Sequence, residues 1–585
     1  MPSTNRRALL KAATALGGAG FLPWRPLWAQ AVSTGSMTPL PMLSGTDIRL
    51  RIARQTITID GRRSHAIGIN GMVPAPLLRL RQGTTVRFTV ANDLDEDSSV
   101  HWHGLLVPAD MDGVPGVSFP GIKSRSTFIY EFPIKQAGTY WYHSHSGLQE
   151  QMGHYGPIVI DPEGTDPVVY DREHVIVLSD HSQMVPHEII RKLKQDSDYF
   201  DHQRQTLAGL SAGRDQPLAG RLQWAGMRMS PTDISDVTGV AYSYLVNGHG
   251  PADNWTALFS AGDRVRLRLI NASAMTTFNV RIPGLPMTVV QADGQNVSPV
   301  ETDEIQLAVA ETYDVIVMPD GNQAYALVGE ALDRSGMARA TLAPRPGMSA
   351  PSPVLRSRPL ATMKDMGMRD MAMSGMEMTD HDMAGMSGMN GSGDSGMSMN
   401  LRDGSKAPQV DMGPGVQTIS PMPVDRMGDR GQGLGLEEVG HRVLVYTDLV
   451  ALDRNPDVRK PSRKLTVHLT GNMERYMWSF DGVKQSDARI PIPFRKNERV
   501  RVTLVNDTMM GHPIHLHGHF FELVTDHGDY APRKHTIMVQ PGGTATFDLT
   551  ADAMGDWPLH CHLLFHMHAG MMRIVSVRPD GEQPG

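Results

Sequence analysis

The sequence predicts an all-β protein that contains three copies of one kind of domain. The chain has 585 residues, among them 58 glycines and 41 prolines that separate short segments in which apolar and polar residues alternate. Alternation with a period of two is typical of half-buried strands, and glycine and proline are typical of the turns between them. A chain of this length is sufficient for several domains, each with its own core.

Three segments repeat the same order of elements, and this repeat is the main evidence for homologous domains. Each begins with an Asn-Gly or Asp-Gly turn signal, continues through a loop and ends in an alternating strand that finishes with asparagine. The copies run over 70–92, 247–271 and 481–506. Such a shared order favours homologous units over chance similarity between generic strands. We therefore predict domains at 45–165, 166–345 and 436–580.

Residues 1–31 are predicted to be an export signal. Arg6 and Arg7 lie in a pattern close to the twin-arginine signal, and Ala29-Gln30-Ala31 offers a cleavage site. The apolar stretch between them is too short to span a bilayer, which takes about 20 residues. We therefore expect a periplasmic protein, exported by the twin-arginine pathway, without a stable membrane anchor.

The charge of the chain gives no indication of a nucleic-acid partner. The net charge of −7 is mild and is not concentrated in any segment. Nothing in this pattern predicts nucleic-acid binding, and we expect a monomer.

Residues 346–435 differ in composition from the rest of the chain, because they are rich in methionine, glycine, serine and aspartate. The methionines of this insert include Met363, Met366, Met368, Met371, Met373, Met376, Met378, Met383, Met386, Met389, Met397 and Met399. Such a low-complexity segment cannot bury enough apolar surface to fold by itself. It is either a binding segment for a soft metal ion or a plain disordered linker.

Four clusters of histidines follow strands of the outer two copies. The second copy has none, and its domain is therefore predicted to be a spacer that holds the two outer domains against each other. The clusters are His101/His103, His143/His145, His512/His515/His517 and His560/His562/His566. Two histidines separated by one residue lie on the same face of a strand, about 6.6 Å apart. A single pair of this kind is more often structural, but four clusters with the same spacing predict a metal centre shared by two domains.

Cys561 is the only cysteine in the chain, and it lies between His560 and His562. A lone cysteine is usually a small buried apolar residue. Here a histidine follows after five residues and a methionine after five more, and these are the ligand types of a blue-copper site. Alternation along a strand turns His560 and His562 away from the face of Cys561. His512 lies three residues before His515, so it is predicted on the face of Cys561.

These clusters resemble the four copper-binding signatures of the multicopper oxidases, over all three predicted domains. The resemblance implies three cupredoxin-like Greek-key β-barrel domains that hold four copper ions, with dioxygen as co-substrate. His101 and His515 match the type 2 copper ligands. The type 3 ligands are matched by His103, His143, His145, His517, His560 and His562, and the type 1 ligands by His512, Cys561, His566 and the axial Met571. The leader and the insert resemble those of the copper-resistance members of the family.

The resemblance also implies a mechanism. Substrate gives up one electron at a time at the type 1 copper, the electrons pass through Cys561 to His560 and His562, and dioxygen is reduced to water at the other three coppers. Asp112 is the candidate proton relay, and an Asx-type turn before Gly113 is the alternative for this residue. Met567 stands where some relatives have an acid, so the second half of the proton path is unassigned.

The substrate is predicted from the methionines, because thioether sulfur is a soft ligand that selects Cu(I). Candidate Cu(I) contacts are Asp507, Met509, Met510 and the insert residues Met363, Met366, Met368, Met371, Met373, Met376 and Met378, with Met473 and Met477 as weaker ones. Gap-filling in the core is the alternative for Met509 and Met510. Two other functions stay open, namely a laccase-like oxidase of phenols or aromatic amines and a non-catalytic protein that sequesters copper.

Overall fold

The fold is all-β, as predicted, with six sheets arranged in three pairs along the chain. The computed structural model describes residues 39–367, 401–430 and 434–579. The predicted signal and the insert methionines from Met368 to Met399 lie outside these residues. In the described part of the chain, no helix has the length and apolar character needed to cross a membrane. We refer to the three sheet pairs as domains 1, 2 and 3.

Domain 1 consists of a five-stranded sheet in the order β1-β4-β9-β8-β6 and a four-stranded sheet in the order β3-β2-β5-β7. The strands are β1 (Met42–Ser44), β2 (Asp47–Ile59), β3 (Arg62–Ile69), β4 (Leu77–Arg81), β5 (Thr85–Asn92), β6 (His101–His103), β7 (Thr127–Pro133), β8 (Gly138–His143) and β9 (Tyr155–Asp161).

Domain 2 pairs a six-stranded sheet, β11-β10-β13-β18-β15-β16, with a five-stranded sheet, β12-β20-β19-β14-β17. The strands are β10 (Arg172–Ser182), β11 (Tyr242–Val246), β12 (Trp255–Leu258), β13 (Val265–Asn271), β14 (Phe278–Arg281), β15 (Met287–Ala292), β16 (Gln295–Thr302), β17 (Glu304–Leu307), β18 (Thr312–Val317), β19 (Tyr325–Ala331) and β20 (Met337–Ala343). Three helices stand between β10 and β11, namely α1 (Pro186–Gln195), α2 (Leu207–Ser211) and α3 (Leu218–Gly226).

Domain 3 pairs a sheet in the order β23-β22-β25-β30-β27-β28, to which β21 adds beside β30, with a five-stranded sheet, β24-β32-β31-β26-β29. The strands are β21 (Val424–Asp425), β22 (Arg463–Asn472), β23 (Met477–Phe480), β24 (Ile492–Arg495), β25 (Arg499–Asn506), β26 (His512–Leu516), β27 (Phe521–Leu523), β28 (Arg533–Lys534), β29 (Thr536–Val539), β30 (Gly543–Thr550), β31 (Gly555–Cys561) and β32 (Met572–Arg578). Helix α4 (Leu564–Ala569) follows β31.

The three domains share one strand arrangement, which explains the repeat in the sequence. In each of them a long strand pairs antiparallel with the next strand and parallel with a third: β2 with β3 and β5, β10 with β11 and β13, and β22 with β23 and β25. The turn residues Asn70, Asn247 and Asp481 have φ angles of 52°, 51° and 52°, and glycine follows each. A left-handed turn of this kind matches the twist of the strands that it joins.

The asparagine that ends each repeated strand bonds a neighbouring segment of the same domain. The side-chain amides of Asn92, Asn271 and Asn506 donate to the carbonyls of Ile122, Leu307 and Val539, at 3.0 Å in all three cases. Each side-chain oxygen accepts from the backbone N–H two residues further on, at 2.9–3.0 Å. In domains 1 and 3 these buried asparagines therefore fix the start of the loops that lead to the histidines.

The described flanks of the insert pack against domain 3, although the sequence predicted one low-complexity segment over 346–435. Met366 is buried, and a 3₁₀ turn over Met363–Met366 contains Asp365, which pairs with Arg426 at 3.0 Å. Residues Ala407, Val410, Val416 and Ile419 form a small apolar cluster of their own. The flanks are ordered by contacts with a neighbouring domain, which composition does not reveal.

Domains 1 and 2 meet through buried charges. All seven residues of β13 are buried, because one face of the strand packs toward domain 1. Arg266 and Arg268 of this strand both bond the Asp314 carboxylate at 2.8 Å. Arg268 also donates to Thr139 of domain 1 at 2.9 Å. Asp314 therefore pairs with two guanidinium groups that have little access to water, together with Asp166 and Glu173, which contact Arg266 and Arg268 at 2.7 and 2.9 Å.

Asp314→Ala is expected to destabilise the protein by about 1–3 kcal/mol, because it removes the shared carboxylate and leaves Arg266 and Arg268 with one carboxylate partner each, Asp166 and Glu173. The measurement is the urea midpoint of the copper-free protein, followed by far-UV circular dichroism. Asp171→Ala is the matched control, since its partner Arg264 and Asp171 itself are well exposed, and it should move the midpoint little. Equal shifts in the two variants would contradict this role of Asp314.

Candidate metal centres

Two strand pairs bring the histidines of the outer domains together. In domain 1, β6 pairs with β8, and His101 lies opposite His143. In domain 3, β26 pairs with β31, and His515 lies opposite His560. Because alternate residues share a face, each pair presents its histidines toward the other domain. The rings meet across the interface, with 3.9 Å between the ring centres of His103 and His515.

The resulting cluster contains the eight histidines that the sequence predicted, four from each outer domain. They are His101, His103, His143, His145, His515, His517, His560 and His562. Ring nitrogens within the cluster are buried and lack a hydrogen-bond partner among the described residues: Nε2 of His101, His143, His145, His515 and His562, and Nδ1 of His103. Buried polar atoms are normally satisfied, so these nitrogens indicate a site for metal ions.

The nitrogens fall into groups that are small enough to hold one ion each. Four sets have their ligand atoms within 4.8 Å of one another: His103/His143/His562, His145/His517/His560, His101/His103/His515 and His101/Asp112/His517. The first two sets match the six predicted type 3 ligands. His101 and His515, the predicted type 2 ligands, share the third set.

The outer nitrogens of the cluster histidines have partners that set their orientation. His101 Nδ1 donates to the Asp112 carbonyl at 2.8 Å, and His517 Nδ1 lies 2.7 Å from the Asp112 carboxylate. His143 Nδ1 lies 2.6 Å from the carboxylate of Glu150. A partner on one ring nitrogen directs the other nitrogen to the metal. The backbone N–H of Asp112 bonds the Ala109 carbonyl at the end of the short turn Ala109–Met111, whereas its side chain faces His517 and His101.

Burial keeps the imidazoles in the state that binds metal. It lowers the pKa of His103, His143, His145, His515, His517 and His562 well below the usual range, with neighbouring histidines adding to the effect. Burial also lowers the pKa of His560 to about 4. Neutral imidazole is the ligand form of histidine, so the cluster is prepared for cations at neutral pH.

The second centre lies on the other face of β31, as strand parity predicts. Cys561 Sγ is 3.5 Å from His512 Nδ1 and 3.8 Å from His566 Nδ1, and the two nitrogens are 3.2 Å apart. All three residues are fully buried. Met571 is also buried, and its carbonyl accepts from the Cys561 N–H at 3.1 Å. One thiol and two imidazole nitrogens thus converge on one point.

The outer sides of these two histidines are closed by other parts of the protein. His512 Nε2 is 2.8 Å from the Thr508 hydroxyl, and His566 Nε2 is 2.7 Å from the carboxylate of Asp236, which belongs to domain 2. Trp478 stacks on His566 with 3.8 Å between ring centres. Neither histidine therefore offers an open edge at the surface.

The donor set fits copper. A thiolate with two imidazoles is typical of a blue-copper centre, and a group of imidazoles with open nitrogens suits copper as well. Burial raises the pKa of the Cys561 thiol, so the thiolate needs a cation beside it. A metal ion in place of the thiol proton satisfies both the sulfur and the two Nδ1 atoms.

The residues that the sequence predicts as Cu(I) contacts lie mostly in the interior and not on an accessible surface. Met509 and Met510 are 1% and 3% exposed and belong to the main core, as in the gap-filling alternative. Asp507 is bonded to His468 Nδ1 at 2.7 Å and to the Ser420 N–H at 2.8 Å. Met363 is half-buried. Met368, Met371, Met373, Met376 and Met378 lie outside the described residues.

Several residues that touch the two centres were not predicted from the sequence. Glu150 and Asp236 each bond a candidate ligand, and the carbonyl of His535 accepts from His515 Nδ1 at 2.7 Å. Glu150 lies five residues after the His143/His145 pair, and that proximity was a usable signal. Asp236 comes from another domain, and no spacing in the sequence connects it with His566.

Anaerobic addition of Cu(I) to the copper-free protein at pH 7 is expected to release about one proton more per chain from the wild type than from Cys561→Ser. The thiol has a raised pKa and gives up its proton to the metal, whereas the cluster imidazoles are already neutral. A pH indicator in weakly buffered solution measures the difference. Equal release by both proteins would mean that Cys561 is ionised without metal or does not bind it.

Comparison with known proteins agrees with this geometry. Family models described as multicopper oxidase match residues 51–165, 173–345 and 458–581. Copper resistance protein A of Escherichia coli is 46% identical over 98% of this chain and 99% of its own length. The protein of the same name from Pseudomonas syringae pv. tomato is 45% identical, again over 98% and 99%. Multicopper oxidase MmcO of Mycobacterium tuberculosis is 30% identical over 90% of this chain and 86% of its own length.

Solved structures show the same fold at low sequence identity. Fet3p, a multicopper oxidase that functions in iron import, matches with a TM-score of 0.63 at 18% identity, over 92% of this chain and 90% of its own. A laccase from Botrytis aclada also gives 0.63, at 20% identity, over 93% and 92% of the two chains. The matches to the family models and the extent of the identity together show that this chain is an oxidoreductase of the multicopper oxidase family.

Proposed function

We propose that this enzyme oxidises Cu(I) to Cu(II) at the Cys561 centre, reduces dioxygen to water at the histidine cluster, and serves copper tolerance in the periplasm. The observation that carries the proposal is a narrow crevice beside the Cys561 centre. Met366 and Leu401, from the two described flanks of the methionine segment, line it together with Asp507 and Thr508. The flanks of a segment rich in soft sulfur ligands are therefore held close to the proposed electron-accepting site.

The copper ligands are proposed as in the sequence analysis. His512, Cys561 and His566, with Met571 as the axial residue, hold the type 1 copper, and His101 and His515 hold the type 2 copper. His103, His143, His145, His517, His560 and His562 hold the type 3 pair. When bound, these ions supply the one-electron steps of substrate oxidation and the four-electron reduction of dioxygen.

The polypeptide connects the two centres by a short covalent route. Cys561 contributes its sulfur to one centre, and its neighbours His560 and His562 contribute imidazoles to the other. One peptide bond on either side of Cys561 therefore links the proposed site of electron entry with the proposed site of dioxygen reduction. Because seven of the eight cluster histidines are buried between two domains, the cluster is shielded from bulk water.

The closure of the Cys561 centre favours a metal ion over a phenol as substrate. The crevice has no room for a water molecule, whereas pockets for small organic molecules usually enclose about 300–1,000 Å³. Asp236 and Trp478 cover His566, so an aromatic ring has no direct contact with either imidazole. Thr508 lines the crevice and is hydrogen-bonded to His512, so a Cu(I) ion bound by methionine beside it would be one hydrogen bond from a proposed type 1 ligand. A laccase-like activity is the second candidate, and it needs movement of this cover.

Deletion of 368–400 is expected to lower Cu(I) oxidation at least tenfold at low substrate concentration, since the deletion removes the soft ligands but keeps both anchored flanks. Phenol turnover should be unchanged, because Thr508, Asp236 and Trp478 still cover the two imidazoles. Oxygen consumption with Cu(I) and with a phenol measures both rates on copper-loaded protein.

A length-matched variant with serine at every methionine from Met368 to Met399 serves as the control for loop length. Its rate of Cu(I) oxidation should equal that of the deletion variant, and its rate of phenol turnover should equal that of the wild type. Undiminished Cu(I) oxidation in both variants would contradict the role of the insert. A protein that only sequesters copper would bind Cu(I) without consuming oxygen, and a Cys561→Ser strain would then keep its full copper tolerance.

Asp112 is proposed as the proton relay on the type 2 side. Its side chain is fully buried and bonds His517, while its other carboxylate oxygen lies 3.4 Å from His101 Nδ1. Each dioxygen molecule needs four protons as well as four electrons, and a carboxylate at this position is in reach of both cluster halves.

Asp112→Asn is expected to lower kcat about 100-fold or more, because an amide keeps a hydrogen-bond acceptor for His517 but cannot take up and release a proton as a carboxylate does. Copper content and the blue absorption should stay at wild-type levels. Stopped-flow reoxidation of the fully reduced enzyme by dioxygen measures the step directly. A wild-type reoxidation rate would exclude Asp112 from proton delivery.

A further inference from the structure

A hairpin of domain 2 reaches between the two domains that carry the histidine cluster. The hairpin joins β15 to β16, and its tip is Asp293-Gly294, with φ angles of 47° and 72°. Gly294 lies against the ring of Tyr140 and the backbone of Gly138 in domain 1, and a Cβ at position 294 would overlap that ring. Only glycine permits this approach. The tip is therefore fixed against domain 1 at its second residue.

The first residue of the tip, Asp293, is bonded to domain 3. Its Oδ2 accepts the backbone N–H groups of His535 and Thr536, at 3.2 and 3.1 Å. Lys534 Nζ lies 3.0 Å from the same oxygen. The other oxygen, Oδ1, accepts the N–H of Thr312 in domain 2, at 3.1 Å. The carboxylate is fully buried, and both of its oxygens are used.

The residues that Asp293 holds are the outer partners of two cluster histidines. His515 Nδ1 donates to the His535 carbonyl at 2.7 Å and lies 3.2 Å from the Thr536 hydroxyl. The same hydroxyl is 3.3 Å from Nε2 of His103, which belongs to domain 1. His103 and His515 each turn an unpartnered ring nitrogen, Nδ1 and Nε2 respectively, toward the cluster.

We propose that Asp293 is a positioning residue for the metal cluster, which acts through His535 and Thr536 on one histidine of each outer domain. The partner of the outer ring nitrogen sets the tautomer and the direction of a ligating imidazole. The carboxylate of the middle domain thereby fixes which nitrogen His515 and His103 present to the metal. The inference depends on the proposed assignment of this cluster as the copper site.

The alternative role for Asp293 is to neutralise Lys534, which is fully buried. Glu311 of domain 2 does this as well, at 3.1 Å from Lys534 Nζ. Among the described residues, the Glu311 carboxylate also bonds Tyr446 and the Ala308 N–H, and it has no bond to residues 535 and 536. Both carboxylates contact Lys534, but only Asp293 bonds the backbone of residues 535 and 536. Substitution of each carboxylate in turn therefore separates the two roles.

Asp293→Asn is expected to weaken copper binding at the type 2 position about 10- to 100-fold, the usual effect of removing an outer partner of a metal ligand. Asparagine has one acceptor oxygen, and it cannot bond both Thr312 and the 535–536 backbone. The blue absorption of the type 1 copper should be retained. Copper per chain, the type 2 signal in electron paramagnetic resonance and the blue absorption are measured during competition with a chelator.

Glu311→Gln removes a carboxylate charge from the same lysine and keeps the loop bonds, so it should retain the type 2 signal at wild-type chelator resistance. Thr536→Val removes only the hydroxyl between His103 and His515, and it should weaken the type 2 signal in the same direction as Asp293→Asn. The melting temperature of each copper-free variant reports its general stability.

The inference is wrong if Asp293→Asn keeps the wild-type signal, or if Glu311→Gln loses as much as Asp293→Asn. If Asp293→Asn fails to fold, Thr536→Val decides, and a wild-type signal in that variant overturns the proposal. A wild-type protein that binds no copper at the cluster would instead contradict the proposed function itself.

Discussion

The protein depends on the division of its histidine cluster between two domains. Four imidazoles come from domain 1 and four from domain 3, so the site exists only while the two domains keep one relative position. Ring centres of His103 and His515 are 3.9 Å apart across that interface, a distance at which small movements change the ligand geometry. The buried contacts between domains are therefore also contacts that shape the metal centre.

Domain 2 contributes to both centres although it has no histidine cluster. The hairpin tip at Asp293 bonds the loop behind His515, and Asp236 bonds His566 at the other centre. Because the second copy lacks a histidine cluster, the sequence predicts only a spacer that holds the outer domains against each other. Its bonds to residues at both centres give domain 2 a second role, since they also orient candidate ligands.

The Cys561 centre combines a short covalent path to the cluster with restricted access. One peptide bond separates Cys561 from each of His560 and His562, whereas its two imidazoles are covered by Thr508, Asp236 and Trp478. Restricted access excludes large donors from direct contact, and the methionine segment is anchored where the cover has its crevice. In the function that we propose, burial of the centre limits the size of the electron donor, and the methionines favour a soft ion.

The sequence by itself determined the all-β class, the three repeats and the two sets of candidate ligands. It could do so because strand alternation is a local property: the spacing of His560, Cys561 and His562 decides which side chains share a face. Only the tertiary structure decided that Met509 and Met510 are core residues, that Asp507 is bonded to His468, and that Asp293 and Asp236 contact the centres. These contacts join residues far apart in the chain, and their partners are set by domain packing rather than by any period in the sequence.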